Sequence, residues 1–415
     1  MRYGLAAAAL LMAAACANAE KVDSAVAGRG GDAGIAGDAG PAGGTGSAPD
    51  AGSPDAGPAP DGGALEDACD GLVPALSGAP IVADVANGSV NPTPICSAAR
   101  PDEGTGTVPL RFATYDSSLG YSFDNAWVFY RSSDAAVLGR RQWSSGEGPV
   151  ALITHSEGFT GIELSPQSGD IDLHSLAHDG TESGETPTKA QRTAVADPTG
   201  SGMVTFEVER SAAQYALRYD RFDSNAALMA TAVVATGAPL GPDQDVTWVA
   251  GTTTTGATLV VFATTDGARR AVWLDREGGR MSAEFAPTRC AVQQLHPLLD
   301  GTLAVATNDL DGNAVISALA RPGMARLADP PEWLAGLRLR EFFLLPDGKG
   351  YALRRQGAGR PIEILAGTGE TCGELRPPDL EKGPFVIGRD GTLVEQDVTG
   401  PGSPCTFRWY PQLFE

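Results

Sequence analysis

The sequence is short of positive charge. Its 415 residues include 30 lysines and arginines against 51 aspartates and glutamates, and the formal net charge at pH 7 is −21. A surface of this sign repels phosphate groups, so nucleic acids and anionic lipid head groups are excluded as expected partners. The basic pairs Arg140-Arg141 and Arg354-Arg355 are too short to form a basic patch.

Histidine is scarce as well, and no catalytic motif accompanies it. The chain has four histidines, and the nucleophile motif Gly-x-Ser-x-Gly is absent, which removes the sequence signature of the α/β-hydrolases. The segment His155-Ser156-Glu157 is expected to form a turn and not part of a catalytic triad. We therefore assign no catalytic residue and no cofactor from the sequence.

One stretch has the alternation of a metal site. On an extended strand, one face would carry four possible ligands, which are Asp170, Asp172, His174 and His178. The strand rise would separate the two histidines by about 13 Å, too far for one zinc ion to reach both. Residues 308–313 resemble a calcium loop but lack its closing glutamate, so a hairpin turn is expected there. The sequence thus predicts no metal site.

Long hydrophobic runs are missing. The N-terminal apolar stretch from Gly4 to Ala15 follows a single arginine and is shorter than the roughly 20 residues that span a bilayer. This pattern predicts a secretory signal peptide over residues 1–19. Two processing sites compete: Cys16 as an acylated lipoprotein cysteine, and cleavage after Ala19. We take Cys16 as the predicted lipid attachment site.

Large apolar residues are also missing from the segment that follows. Residues 20–68 consist mainly of Gly, Ala, Pro, Asp and Ser, without Leu, Phe, Tyr or Trp before Leu65. Such a segment cannot bury a core, so we predict a disordered linker. Glycine recurs at every third position from Gly28 to Gly46, but the triplets are too few and too poor in proline for a collagen triple helix.

Cys16 and this linker together resemble the N-terminal part of surface lipoproteins of myxobacteria and related bacteria, in which a lipidated cysteine precedes an Ala/Gly/Pro/Asp-rich stalk. The resemblance implies an exported protein held at the bacterial outer membrane or cell surface by its lipid. Cleavage after Ala19 would instead yield a periplasmic or secreted protein. The resemblance implies nothing about activity.

Cysteine is limited to six residues. Because an exported domain meets an oxidising compartment, one or two disulfides are expected. Besides Cys16 and Cys290, the candidates are Cys69, Cys96, Cys372 and Cys405. The sequence does not determine the connectivity; we favour a bond between Cys69 and Cys96, which would hold the N-terminal end of the domain.

What the chain does contain is a repeat. Seven glycine-centred turns recur at Gly106, Gly158, Gly202, Gly256, Gly301, Gly348 and Gly391. Their spacings are 52, 44, 54, 45, 47 and 43 residues. A period of about 45 residues with several short strands per unit is typical of a β-propeller. Residues 69–415 are therefore predicted to form an all-β, seven-bladed β-propeller, with a six-bladed ring or a β-solenoid as alternatives.

A second series of positions supports the same register. Polar turns follow a later strand of each unit, near Arg131, Ala177, Arg221, Arg276, Arg321 and Ala366. The steps are 46, 44, 55, 45 and 45 residues. Both series share one long step, which predicts an insertion at about residues 236–245, between blades three and four.

The last repeat is incomplete. Its third strand is predicted at residues 406–410, and the sequence given ends at Glu415. We expect a segment within about residues 80–90 to supply the missing outer strand, because closing the ring removes an exposed sheet edge. The six tryptophans are expected to pack between blades.

These features favour a binding or interaction module, with an unknown protein or glycan as partner and a monomeric state. The alternative is a propeller-type hydrolase or lyase acting on a polysaccharide or lactone, with carboxylates that converge on the central channel. A structural envelope component without a discrete ligand is the third possibility. No Trp-Asp dipeptide occurs, so the repeats do not match the WD family.

Overall fold

A computed structural model describes the chain from residue 68 to residue 411, with gaps. The described ranges are 68–74, 81–85, 93–98, 106–116, 121–143, 148–155, 157–164, 170–191, 194–241, 244–264, 269–287, 291–309, 311–338, 342–345, 348–354, 361–376, 385–388, 391–397 and 405–411. The predicted signal peptide, Cys16, the linker through residue 67 and Cys290 lie outside these residues. Cys69–Glu415 forms one compact unit.

All regular structure in the described ranges is β-strand. The strands are β1 (Ile81–Val85), β2 (Thr93–Ala98), β3 (Thr107–Asp116), β4 (Tyr121–Arg131), β5 (Val137–Gln142), β6 (Ala151–His155), β7 (Gly158–Leu164), β8 (Asp170–Leu176), β9 (Glu182–Gln191), β10 (Val195–Ala196), β11 (Met203–Arg210), β12 (Tyr215–Phe222), β13 (Leu228–Gly237), β14 (Val246–Thr252), β15 (Thr258–Thr264), β16 (Arg269–Leu274), β17 (Val292–Pro297), β18 (Leu303–Asn308), β19 (Ala314–Ala320), β20 (Leu327–Ala328), β21 (Phe342–Leu344), β22 (Gly350–Arg354), β23 (Ile362–Ala366), β24 (Thr371–Leu375), β25 (Phe385–Ile387), β26 (Leu393–Asp397) and β27 (Cys405–Tyr410). Across the described ranges, no helix is long and apolar enough to cross a membrane.

The strands form seven antiparallel sheets, and the fold is a seven-bladed β-propeller. Blades one to six follow chain order, with sheets β2–β5, β6–β9, β10–β13, β14–β16, β17–β20 and β21–β24. Blade seven has the order β1-β27-β26-β25. The first strands of neighbouring blades meet near the axis, where β14 contacts both β10 and β17. The predicted fold class is confirmed, and the six-bladed ring and the solenoid are not.

Blade four departs from the four-stranded pattern. Its regular sheet contains only β14, β15 and β16. An irregular segment takes the outer position, because Ala271 exchanges backbone hydrogen bonds with Phe285 and the Trp273 carbonyl accepts one from Met281. The outer edge of β16 is therefore partly paired.

The seven glycines of the repeat all adopt positive φ, from 61° at Gly106 to 143° at Gly158. Each lies where the first strand of a blade turns into the second. At Gly202 the space is restricted as well, because an added Cβ would stand 2.0 Å from the Phe222 carbonyl oxygen. Glycine is required there both by backbone conformation and by the close approach of the third strand.

The second series is confirmed at the ends of the third strands. Arg131 and Ala366 are the last residues of β4 and β23, and Ala177 directly follows β8. The shared long step corresponds to the connection between β13 and β14, which begins after Gly237. β13 extends two residues into the predicted range, and the remaining eight residues connect it to β14.

The hydrophobic core is divided among the blade interfaces. Among the described residues, seven clusters of buried side chains occur, each joining one pair of neighbouring blades, including the pair of blades seven and one. All six tryptophans belong to these clusters, and Trp127, Trp273 and Trp409 are fully buried. The predicted packing of tryptophan between blades is confirmed, and no blade buries both of its faces without its neighbours.

The ring closes through the N-terminal end of the domain, as predicted. Strand β1 pairs antiparallel with β27, from Ile81 opposite Trp409 to Val85 opposite Cys405. The Trp409 indole donates a hydrogen bond of 2.7 Å to the Ser132 carbonyl of blade one. Blade seven is thus assembled from both ends of the domain, and β1 supplies the outer partner of β27.

The predicted disulfide between Cys69 and Cys96 is wrong. Cys69 is bonded to Cys372, which lies on β24, with a Cα–Cα distance of 5.2 Å. The reason is the route of the chain: before β1 reaches blade seven, residues 69–74 run beside blade six, where Leu72 is buried and Pro74 approaches Gly373. The side chains of Cys96 and Cys405 lie outside the described part.

Candidate functional site

A propeller hydrolase would need carboxylates that converge on the central channel. Seven strands line the axis, and none of them contains aspartate or glutamate: β2, β6, β10, β14, β17, β21 and β25. They carry two histidines, His155 on blade two and His296 on blade five. His155 is buried, and the His296 ring packs on Phe342 with centroids 5.3 Å apart. These inner strands therefore do not gather the acid pair that the alternative function requires.

The insertion between blades three and four builds a pocket on the side of the ring opposite the seven glycine turns. Its volume is about 230 Å³. The lining residues are Tyr215, Thr236, Gly237, Ala238, Pro239, Leu240, Gln244, Phe262, Thr264 and Arg270. The ends of β13 and β15 and the starts of β12 and β16 supply the residues outside the loop. From the sequence, the only indication of this pocket was the longer repeat between blades three and four.

The chemistry of the pocket is mixed. Tyr215 and Phe262 are buried and form aromatic walls, and they belong to the cluster that joins blades three and four. The loop is braced internally, because the Gly241 amide donates a 2.8 Å hydrogen bond to the Gln244 side chain. The exposed Arg270 pairs with Glu284 at 3.2 Å. Aromatic surface is thus combined with an amide and a guanidinium in one concave site, the usual composition of a binding pocket.

A buried ion pair stands at the same blade interface, near the opposite face. Asp197 and Arg221 contact each other, and both side chains are at most 4 % exposed. Asp197 also accepts hydrogen bonds from Thr199 and Ser201. Burial raises the pKa of the Asp197 carboxyl, but these hydrogen bonds and the charge of Arg221 outweigh it and hold the pKa below its ordinary value. The pair is a satisfied structural contact.

The alternation of residues on one strand raised the question of a metal site around His174. In the structure, the side chains next to His174 are not the ones that this alternation indicated. His174 is buried on β8, with its Nδ1 2.7 Å from a carboxylate oxygen of Glu182 and its Nε2 3.0 Å from one of Glu163. Glu185, also on β9, brings a third carboxylate close to the ring. These partners come from the neighbouring strands β7 and β9, where spacing along one strand could not reveal them.

The other members of the sequence set lie apart. Asp170 and Asp172 are not in the group that could hold an ion, and the His178 ring packs against Phe159 at 6.3 Å. His178 lies in the turn after β8, so the two histidines do not share one straight strand as the predicted separation assumed. His174 was the one residue of the sequence set with a chemically distinctive environment.

The turn predictions are confirmed. β18 ends at Asn308 and β19 begins at Ala314, and in the described part of the connection the Asp309 amide donates to the Asn313 carbonyl at 2.8 Å while the Asp309 side chain accepts from the Asp311 and Asn313 amides. His155 and Glu157 flank the turn between β6 and β7, and the Glu157 amide donates to the His155 ring at 3.3 Å.

Comparison with known proteins yields similarity in structure only. No known family model matches the sequence, and no curated protein matches it. Among solved structures, the β-propeller domain of the Trilobed protease from Pyrococcus furiosus is 10% identical, with a TM-score of 0.43, over 78% of this chain and 96% of that one.

Two bacterial proteins are also similar. TolB from Acinetobacter baumannii is 11% identical with a TM-score of 0.34, over 77% of this chain and 81% of that one. BamB from Moraxella catarrhalis is 15% identical with a TM-score of 0.31, over 76% of this chain and 84% of that one. The class defined by the sheet topology is the seven-bladed β-propeller; its function is argued below from its own residues.

Proposed function

We propose that the protein is an exported, lipid-anchored surface protein whose propeller is a binding module, with the pocket between blades three and four as its ligand site. The observation that carries this proposal is the insertion. It is the one place where both repeat markers depart from their common step, and the extra residues enclose a concave site of about 230 Å³. Extra residues in one repeat commonly form loops on the binding face of a repeat fold.

The chemistry of the pocket favours a glycan among the possible ligands. A sugar ring has apolar faces, which Pro239 and Leu240 can contact beside the buried rings of Tyr215 and Phe262, and a polar edge, which Gln244 and Arg270 can hydrogen-bond. The volume is below the range of about 300–1,000 Å³ for drug-sized ligands. We therefore infer that the pocket takes one terminal sugar unit of a longer chain.

Export and anchoring are supported by different features. The apolar N-terminal stretch directly precedes Cys16, and about 50 Gly/Ala/Pro/Asp-rich residues, 20–68, follow before the domain. The disulfide between Cys69 and Cys372 favours an oxidising compartment. A lipid at Cys16 would hold the propeller at the cell surface, with the linker as a tether.

A glycan array probed with the full chain tests the ligand site. In Ala238→Trp, a large side chain placed at an exposed lining position should obstruct the pocket without disturbing the core, and we expect at least a tenfold loss of glycan binding. Ala335→Trp is the matched control, because Ala335 is exposed and outside the pocket. If both variants bind glycans equally well, the binding site lies elsewhere on the protein. If the chain binds peptides and no glycans, a protein ligand is favoured.

Labelling with a fatty-acid analogue in a bacterial host tests the anchor. The parent chain should incorporate label and fractionate with membranes, whereas Cys16→Ser should lose label and be released. An unlabelled, soluble parent that begins at Glu20 would instead show cleavage after Ala19.

A further inference from the structure

The His174 ring lies between two carboxylates. Carboxylate oxygens of Glu182 and Glu163 lie 2.7 and 3.0 Å from its two ring nitrogens. A neutral imidazole carries one N–H and can donate to only one of them, so the other contact would set a lone pair against a carboxylate. A metal cation on one side of the ring would remove this unfavourable contact, because the ring nitrogen and the carboxylate would then both face the cation.

The Nδ1 side has the donor set for a metal ion. One nitrogen of His174 and one oxygen from each of Glu182 and Glu185 lie within 4.8 Å of one another. Glu182 presents Oε1 to the ring and engages Arg141 through Oε2, which orients the carboxylate. Glu185 is exposed, so its side chain is free to rotate onto a cation. Zinc sites commonly combine imidazole and carboxylate ligands with bonds of about 2.0–2.2 Å.

The Nε2 side has the arrangement that supports a metal-binding histidine. Nε2 lies 3.0 Å from an oxygen of Glu163, and the same oxygen accepts a 2.8 Å hydrogen bond from the Gly148 amide. Both His174 and Glu163 are shielded, with side chains 4 % and 13 % exposed. A carboxylate in this position fixes the tautomer, which leaves Nδ1 as the unprotonated ligand atom, and makes the imidazole a stronger donor.

The charge balance points to a divalent ion. Glu163, Glu182 and Glu185 contribute three negative charges and Arg141 one positive charge, so the group with a neutral His174 has a formal charge of −2. A divalent cation neutralises this group, whereas a proton on the ring does so only in part. We propose that His174, Glu182 and Glu185 bind Zn²⁺ at the outer part of blade two, with Glu163 as the residue that positions the imidazole.

Calorimetric titration of the untagged full chain with Zn²⁺ tests this site. We expect saturable uptake of one ion, accompanied by a higher thermal midpoint because only the folded chain assembles the ligands. Glu185→Gln should abolish or strongly weaken the uptake while leaving the fold intact, since Glu185 is exposed. Glu163→Gln should weaken zinc affinity by about 10–100-fold through the loss of ring orientation.

The matched control is Glu277→Gln, an exposed glutamate in a turn of blade four. It should bind zinc as the parent does. Replacement of zinc by Co²⁺ should give visible absorption bands in the parent that Glu185→Gln lacks. The proposal is overturned if the parent takes up no zinc. It is also overturned if Glu185→Gln binds like the control, or if the chain binds Ca²⁺ in preference to Zn²⁺, because calcium selects oxygen ligands.

Discussion

Two blade interfaces of this propeller are built in different ways. The interface of blades three and four joins repeats that follow each other in the sequence, and it contains a buried core cluster and the Asp197–Arg221 pair. The closure region, by contrast, joins the two ends of the domain. There Leu72 is buried between blades six and seven, β1 pairs with β27, and Cys69 is bonded to Cys372 across a separation of 303 residues.

The difference concerns entropy. Neighbouring repeats are held close by a short connection, so their interface needs only complementary faces. The two ends of a domain must be brought together at a cost in chain entropy that rises with the length of the loop. Three features of the closure region offset this entropic cost: the β1–β27 strand pair, the buried side chain of Leu72 and the disulfide between Cys69 and Cys372.

The largest effect is expected from removing the closure. Deletion of residues 70–95 eliminates β1 and Leu72, and should lower the free energy of unfolding by on the order of 5 kcal/mol or more, because a buried leucine alone contributes about 2–5 kcal/mol. Thermal unfolding measures this loss, with an equally long deletion inside residues 20–60 as control. An unchanged midpoint would mean that the ring does not depend on its N-terminal strand.

The next largest effect is expected in the contiguous interface. Asp197→Ala leaves the buried Arg221 without its carboxylate and should cost about 3–5 kcal/mol. Glu374→Gln breaks an exposed pair with Arg376 and should cost less than about 1 kcal/mol. Urea unfolding at neutral pH measures the free energy lost in each variant. Equal losses would contradict the expectation that a buried ion pair is more costly to break than an exposed one.

Asp197→Ala should also change how the free energy of unfolding depends on pH. Because the pKa of Asp197 is below the ordinary 3.8 in the folded state, its stabilisation is complete above 3.8 and is lost as the pH falls through the lower, folded value. The parent should lose stability more steeply than Asp197→Ala across that acidic window. Parallel pH profiles would exclude Asp197 as a source of acid sensitivity.

A smaller effect should come from the covalent bond of the closure region. Cys372→Ser is expected to cost about 2–4 kcal/mol, because the disulfide restricts the unfolded chain. Cys69→Ser and the double variant serve as controls, since all three remove the same bond and should unfold at the same urea concentration. A double variant less stable than either single one would indicate a second role for one of these cysteines.

The smallest effects are expected at turn glycines. Gly312 has a φ of 80° and open space around its Cα, so Gly312→Ala should cost only about 1 kcal/mol for the left-handed backbone. Gly202→Ala adds a collision with the Phe222 carbonyl and should cost about 1–3 kcal/mol. If both cost the same, the close approach of the third strand at Gly202 is not restrictive.

Much of the ring could be predicted, because a propeller repeats its local signals. The turn glycines such as Gly301 have to adopt positive φ in every blade, and the long step in both series marks the insertion. The need of β27 for an outer partner predicted β1. The partner of Cys69 could not be predicted, since the path of residues 69–74 beside blade six leaves no pattern in the sequence.

The sequence alone determined the number of blades, their order and the strand that closes them, because these depend on turn chemistry and on the length between turns. Only the tertiary structure decided which distant side chains meet. Glu163 and Glu182 reach His174 through the registers of β7 and β9, and Tyr215 meets Phe262 across a blade interface. Such contacts depend on how strands are paired and twisted in space, and one residue of shift in register would send each side chain to the other face of its sheet.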